Sequence, residues 1–271
     1  MTASEDVRRY YDANTWKFLL AGSQRAIHRE LWGPGVTSRS AAAHHAHELV
    51  LGEIGQEHRR VLDLGCGVGA AALYVAERRP VEVLGISISP EQVRLAERYA
   101  ARTPPRFGRV AFREADFTAL PADVTGFDMA FAIEAFVHAS SAAAFFSEAA
   151  RALRPGGALI TIDDVLLSTA ADRRLEDFRS GWKVSSLITV TEAARLAAHA
   201  GLELVRSVDL SPLQRLGRPR DRLIRLAQPA LRRLQRRSSW AAALVGGDAL
   251  QQSHLAGLLE YRLLRFTRRP G

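Results

Sequence analysis

Two short stretches hold the residue types that could do chemistry. "IEAFVHAS" and "TIDDV" place Glu134, His138, Asp163 and Asp164 directly after apolar runs. A histidine titrates near neutrality and is the natural general base for a hydroxyl group. Earlier in the chain, "VLDLGCGVGA" puts Asp63, Gly65, Gly67 and Gly69 at the end of another apolar run. Glycines there allow a tight turn and a close backbone approach to a ligand, although such a loop by itself is a weak signal.

These residues fall in register within a strict alternation of strands and helices. "RRVLDLG", "VEVLGIS", "RVAFREAD", "FDMAFAIEA" and "ALITIDDV" read as strands, followed later by "LELVRSVDL" and "LLEYRLLRFTR". Helices are expected over "GAAALYVAERR", from Pro90 through "EQVRLAERYAAR", over "AAAFFSEAARAL" closed by "RPGG", and over "TEAARLAAHAG" with a threonine cap. Glu5–Gly22, carrying Trp16 and Phe18, and Ser38–Ile54 read as two helices before the first strand. Strands alternating with helices imply a parallel sheet covered on both faces, with ligands beyond the carboxyl ends of the strands. The chain reads as one domain: a helical cap (1–56), a core (57–210), an insertion (211–254) and a final strand (255–271).

Composition narrows the classes. The 271 residues are 47% hydrophobic, ample for one sizeable core. No apolar run is long enough for a membrane span, and the start "MTASEDVRRYYD" has no secretory apolar region. One cysteine fits a reducing cytoplasm, and no cluster has zinc spacing. Between Pro212 and Trp240 stand nine arginines and a single acid, Asp221, which leaves the whole formal net charge of +8 in that segment. In "DRLIRLAQPALRRLQRR", Leu223, Leu226 or Ala227, Leu231 and Leu234 recur at helical spacing, with Pro229 expected to kink or divide the helix. Three readings are open: a solvated helix covering the sheet, a membrane-surface helix over 213–237, or an arginine clamp for an anionic ligand. Aromatics are not interleaved with the arginines, so nucleic acid is not expected.

"VLDLGCGVG", "ADF", "FDMAFAIEAFVH" and "ALRPGGALITID" together resemble the class I S-adenosylmethionine-dependent methyltransferases. "AIEA" and "GISISPEQ" look like the small-molecule branch with sterol, tocopherol and sugar methyltransferases and cyclopropane fatty-acid synthases. The resemblance implies a Rossmann-like, mostly parallel seven-stranded sheet with an antiparallel last strand, and S-adenosyl-L-methionine as cofactor. It implies that Asp63, Gly65, Cys66 and Gly67 face its methionine part. Ser87, Ile88 and Gln92 would contact the adenosine, Asp116 and Phe117 the adenine, and Ile133 the same pocket. Tyr10 or Tyr11 would close over the methionine end. His138 and Asp164 resemble the base and its partner in sugar O-methyltransferases, and Glu134 the cation-stabilising residue of sterol enzymes. "IHRELW" resembles a tocopherol-type segment, so Trp32, with Trp182, would wall an apolar or ring-bearing acceptor. The implied activity is methyl transfer to oxygen or carbon of an apolar small molecule, with cyclisation, and then RNA methylation, as alternatives.

Overall fold

The computed structural model describes residues 3–21, 28–169 and 171–270; Gly22 and Ile27, and the side chain of Phe18, lie outside what it describes. Helices α1 (Ala3–Ala21) and α2 (Arg39–Gly52) precede the sheet. The core then alternates β1 (Arg60–Leu64), α3 (Ala70–Ala76), β2 (Glu82–Ser87), α4 (Pro90–Arg102), β3 (Arg109–Glu114), β4 (Phe127–Ile133), α5 (Ala142–Ala152) and β5 (Leu153–Leu166). After α6 (Arg173–Trp182), α7 (Val190–His199) and β6 (Leu202–Asp209) come α8 (Pro219–Leu226), α9 (Gln228–Leu234), α10 (Ser239–Leu255) and β7 (Leu259–Arg268). The seven strands lie in the order β3-β2-β1-β4-β5-β7-β6, with β7 antiparallel to both neighbours.

The central strand explains why the sequence runs apolar without alternation. Met129 and Phe131 of β4 enter the core shared with α2 and α3, while Ala130 and Ala132 enter the one shared with α5 and α7. A strand buried on both faces has no solvent side to mark with polar residues. Its carboxyl end is therefore the first place where Glu134 and His138 can stand. A third, smaller core lies under α6 and α10, around Phe178, Leu187 and Leu250.

Capping fixes most helix starts. Ser38 and Ser89 accept bonds from Ala41 N and Gln92 N, and Pro90 stands in the first turn of α4. Three readings need correction. The cap of α7 is Thr189, which accepts from Glu192 N, two residues before the threonine of "TEAARLAAHAG". "RPGG" does not end a helix in a loop; it lies inside β5, whose pairing with β4 shifts register there. Pro229 does divide the basic helix into α8 and α9, but these pack on α10 and not over the sheet. Leu223, Leu226 and Leu234 face solvent, and Ile224 points inward.

Candidate active site

A cavity of about 450 Å³ lies beyond the carboxyl ends of the strands. The ends of β1 to β5 form its floor, α1 and residues 28–30 one wall, and α6, α8 and α10 the other.

The glycine loop closes one end. Gly65 and Cys66 both donate their N–H to Ile86 O, at 2.9 and 2.8 Å, which folds the chain sharply off β1. Gly65 has φ +90°, and a Cβ there would lie 2.4 Å from that of Ala135. Beside it Asp63 is buried, and its Oδ2 has no hydrogen-bond partner. Burial pushes its carboxyl up to about 8, only partly opposed by the backbone N–H of Ala72. An unpartnered buried carboxyl facing a cavity is a receptor for a donor or cation that the protein itself does not supply.

Ile88, Gln92, Asp116, Phe117 and Ile133 continue the lining. Ser87 does not, contrary to expectation. It ends β2 pointing at α4 and donates to Gln92 Oε1 at 2.8 Å, while Gln92 Nε2 donates to Thr15 Oγ1 at 3.2 Å. Ser87 thus orients Gln92 from behind. Asp116 accepts from Thr118 N and Oγ1 on one oxygen and from Ser4 Oγ on the other, which ties α1 to this end. Cys66 is buried, and burial pushes its thiol well above the ordinary range, so it is no nucleophile.

His138 ends a short 3₁₀ turn after β4. Its Nε2 lies 2.9 Å from the Tyr11 hydroxyl, and its Nδ1 faces Lys183 O at 3.4 Å. A carbonyl only accepts, so Nδ1 carries the proton and Nε2 accepts from Tyr11. Burial lowers the imidazole below its ordinary value and raises the Tyr11 phenol well above its own. Both are neutral at pH 7.

The expected His138–Asp164 pair is not formed. Asp164 instead accepts from the two terminal guanidinium nitrogens of Arg29, at 3.0 and 2.7 Å, and from His254 Nε2 at 2.7 Å. Burial alone would raise this carboxyl; Arg29 and His254 outweigh that and hold it below the ordinary range. Glu134 is likewise engaged. The N–H and Nε of Arg29 and the hydroxyl of Tyr261 all donate to its Oε1, at 2.9, 3.0 and 2.9 Å. Glu134 also holds φ +48°, unusual for a side chain of its kind and found here at the cavity wall. Asp163 is pushed well upward by burial and by its two carboxylate neighbours; it accepts from Val137 N and Asp164 N.

Arg29 is therefore the hub of this end. It donates to Glu134, Asp164 and Gln214, with its guanidinium 4.0 Å over the Tyr261 ring. Sequence reading missed it, along with His254, Tyr261 and Trp240. The only sequence cue to Arg29 is its place in "IHRELW", three residues before Trp32. Trp32 does not line the cavity: Arg215 stacks on its ring at 3.5 Å and lines it instead. Trp182 does line it, fixed by Nε1 donating to Ala243 O at 2.9 Å, and Trp240 stands across on α10. Among the described residues no cluster of histidine, cysteine and carboxylate could hold a metal ion.

A family model described as a methyltransferase domain matches residues 61–157. The O-methyltransferase rstn1 of Aspergillus nomiae is 31% identical over 173 residues, covering 61% of this chain and 76% of that protein. The sterol 24-C-methyltransferase erg-4 of Neurospora crassa is 30% identical over 211 residues, 75% of this chain but 55% of that protein, so the chain spans about half the length of such relatives. The crystal structure of the [4+2]-cyclase SpnF superposes with a TM-score of 0.77 at 26% identity, over 100% of this chain and 97% of that one. The chain belongs to the class I S-adenosylmethionine-dependent methyltransferases of small-molecule type. The unpartnered Asp63 carboxyl and the glycine turn fit the cofactor of that family.

Proposed function

We propose that this chain methylates a hydroxyl group of an apolar small molecule. The observation that supports this best is one cavity that runs from the glycine loop to Trp182 and Trp240 and is also lined by the Tyr11–His138 pair. Bound there, S-adenosylmethionine supplies an electrophilic methyl group. Asp63 would hold the ammonium of its methionine part, Gln92 the ribose, and Ile88, Asp116 and Phe117 the adenine. The acceptor hydroxyl passes its proton to the Tyr11 oxygen while Tyr11 passes its own to His138 Nε2. The imidazolium formed keeps its Nδ1–H on Lys183 O. Asp164 and Glu134 are already engaged by Arg29, which supports His138 over either carboxylate as the base. Trp182, Trp240 and Ile224 give the acceptor an apolar surrounding and exclude water.

In this reading residues 1–56 and 211–254 are cap and lid on a core of 57–210 and 255–271. The setting is specialised metabolism, and a lone buried cysteine fits the cytoplasm. Incubation with candidate acceptors should yield a methylated product and one equivalent of demethylated cofactor by mass spectrometry. A second reading, cyclisation without methyl transfer, is favoured by the full-length similarity to the cyclase. It predicts a product of unchanged mass and no demethylated cofactor.

A further inference from the structure

Helix α8 presents two apolar faces. Ile224 lines the cavity. Leu223 and Leu226 point the other way and are 67% and 79% exposed, the two most exposed large apolar side chains among the described residues. At 3.6 residues per turn they lie about 60° apart, with Arg220 and Arg222 flanking them. Arg222, Arg233, Arg236 and Arg237 are exposed and meet no carboxylate among the described residues, whereas Arg218, Arg225 and Arg232 pair with Glu30, Asp248 and Asp177.

We propose that α8 and α9 dock on an anionic lipid bilayer, with Leu223 and Leu226 inserted between headgroups and the unpaired arginines on lipid phosphates. Protruding leucines flanked by cations match the interfacial region of such a surface, apolar below and negative above. A second copy of the chain would bring arginine against arginine. A nucleic acid would leave the leucines without a partner. Docking sets the outer face of the cavity wall against the apolar phase, so an apolar acceptor enters past Ile224 without crossing water. This inference rests on the apolar-acceptor reading above.

Sedimentation with vesicles tests it. The wild type should pellet with vesicles containing phosphatidylglycerol and stay in solution with phosphatidylcholine alone. Leu223→Ser with Leu226→Ser should lower the partition coefficient roughly tenfold. Replacing Arg222, Arg233, Arg236 and Arg237 by Gln should lower it further, by about two to three orders of magnitude, and remove most of its salt dependence. All six side chains are exposed, so both variants should keep the wild-type circular dichroism and cofactor affinity. Failure of the wild type to pellet with anionic vesicles overturns the proposal. So does unchanged binding in the leucine variant, which would mark a purely electrostatic contact of the kind an acidic protein or nucleic acid makes. Calorimetry with S-adenosylmethionine on the same samples separates this from the function: no binding there refutes the methyltransferase reading and leaves the vesicle result standing on its own.

Discussion

The two ends of the cavity are assembled by different means. Asp63, Gly65, Cys66, Gly67, Ile88, Gln92, Asp116 and Phe117 all come from residues 63–117, at the ends of three adjacent strands. The other end draws Arg29, Glu134, Asp164, Trp182, Trp240 and Gly247 from five separate segments. Backbone geometry makes the first: a strand ends, a glycine turns the chain, a helix begins. Long-range polar bonds make the second, through a single guanidinium held between two carboxylates. The first end should therefore fail when its backbone path is filled, and the second when its charges are unbalanced.

Filling the first end gives the largest expected effect. Gly67→Val places a branched side chain in the loop that lines the cavity. Calorimetry should detect no cofactor binding, with the fold kept. Unchanged affinity would remove the cofactor from this loop. The same end carries a pH signature. Without ligand, Asp63 titrates at about 8, so it holds a proton at pH 7. Because its folded value is raised above the ordinary carboxylate value near 3.9, this group costs the free protein stability as pH rises from about 4 to about 8, and no more above that. A bound ammonium favours the carboxylate. Affinity should rise from pH 6 to 8 with release of about one proton, a slope that Asp63→Asn abolishes.

Next comes the base. His138→Ala should lower turnover by about two to four orders of magnitude with cofactor binding intact, the usual worth of a general base. Glu134→Gln should change turnover only a few-fold, because its Oε1 serves Arg29 and Tyr261. If the acceptor is a carbon centre the ranking reverses, since a carboxylate beside a developing cation then matters most. If neither variant slows methyl transfer more than a few-fold, proton removal by these residues plays no part.

The same contrast explains what was readable in the sequence. The succession of strands, the glycine turn, the strand-end positions of Asp63 and Asp116 and the first-turn position of Gln92 in α4 follow from local apolar runs and punctuation, so they could be read directly. His138 and Asp164 could be placed at one sheet edge, since adjacent strands end there. Their pairing could not, because it depended on Arg29, which lies 135 positions from Asp164. Helix α10 was missed for a different reason. Its run "SWAAALVGGDALQQSHL" is apolar nearly all round and has two central glycines, so neither periodicity nor propensity marks it. In α8 the periodicity was real, but it left open which side faces inward, because leucines at helical spacing mark a face and not what covers it.

Unbalancing the second end tests the hub. Arg29 is largely buried and Asp164 almost wholly so. Removing Arg29 leaves the Asp164 carboxylate buried with His254 as its one remaining partner among the described residues, and its charge only partly compensated. Arg29→Ala should cost about 3–5 kcal/mol in chemical denaturation at pH 7. In the wild type, Asp164 is held below its ordinary value, so its contribution is present at neutral pH and is lost as pH falls through that lowered value. Without Arg29 the buried carboxyl titrates higher, and the deficit should shrink as the pH is lowered toward 5. A deficit under about 1 kcal/mol, or one independent of pH, would mean that the hub is solvated and not structural.

The smallest effect separates two neighbouring glycines of α10. A Cβ on Gly246 would lie 2.6 Å from Trp182 Cδ1 and 3.0 Å from the Gly181 backbone, where α6 and α10 cross. A Cβ on Gly247 meets only the Trp182 ring, 3.7 Å from Cζ2 and 3.8 Å from Nε1, both ordinary contacts, and Gly247 lines the cavity. Gly246→Ala should therefore cost roughly 1–3 kcal/mol by overpacking. Gly247→Ala should gain up to about 1 kcal/mol, since alanine is the better helix former, and should raise the thermal midpoint by a few degrees. The added methyl also narrows the space beside Trp182. Gly247→Ala should then weaken binding of a neutral apolar dye such as N-phenyl-1-naphthylamine while leaving cofactor affinity unchanged. Equal losses of stability in the two variants would mean that both glycines serve the helix crossing. Unchanged dye binding in the stabilised Gly247→Ala protein would place the apolar chamber elsewhere on the cavity wall.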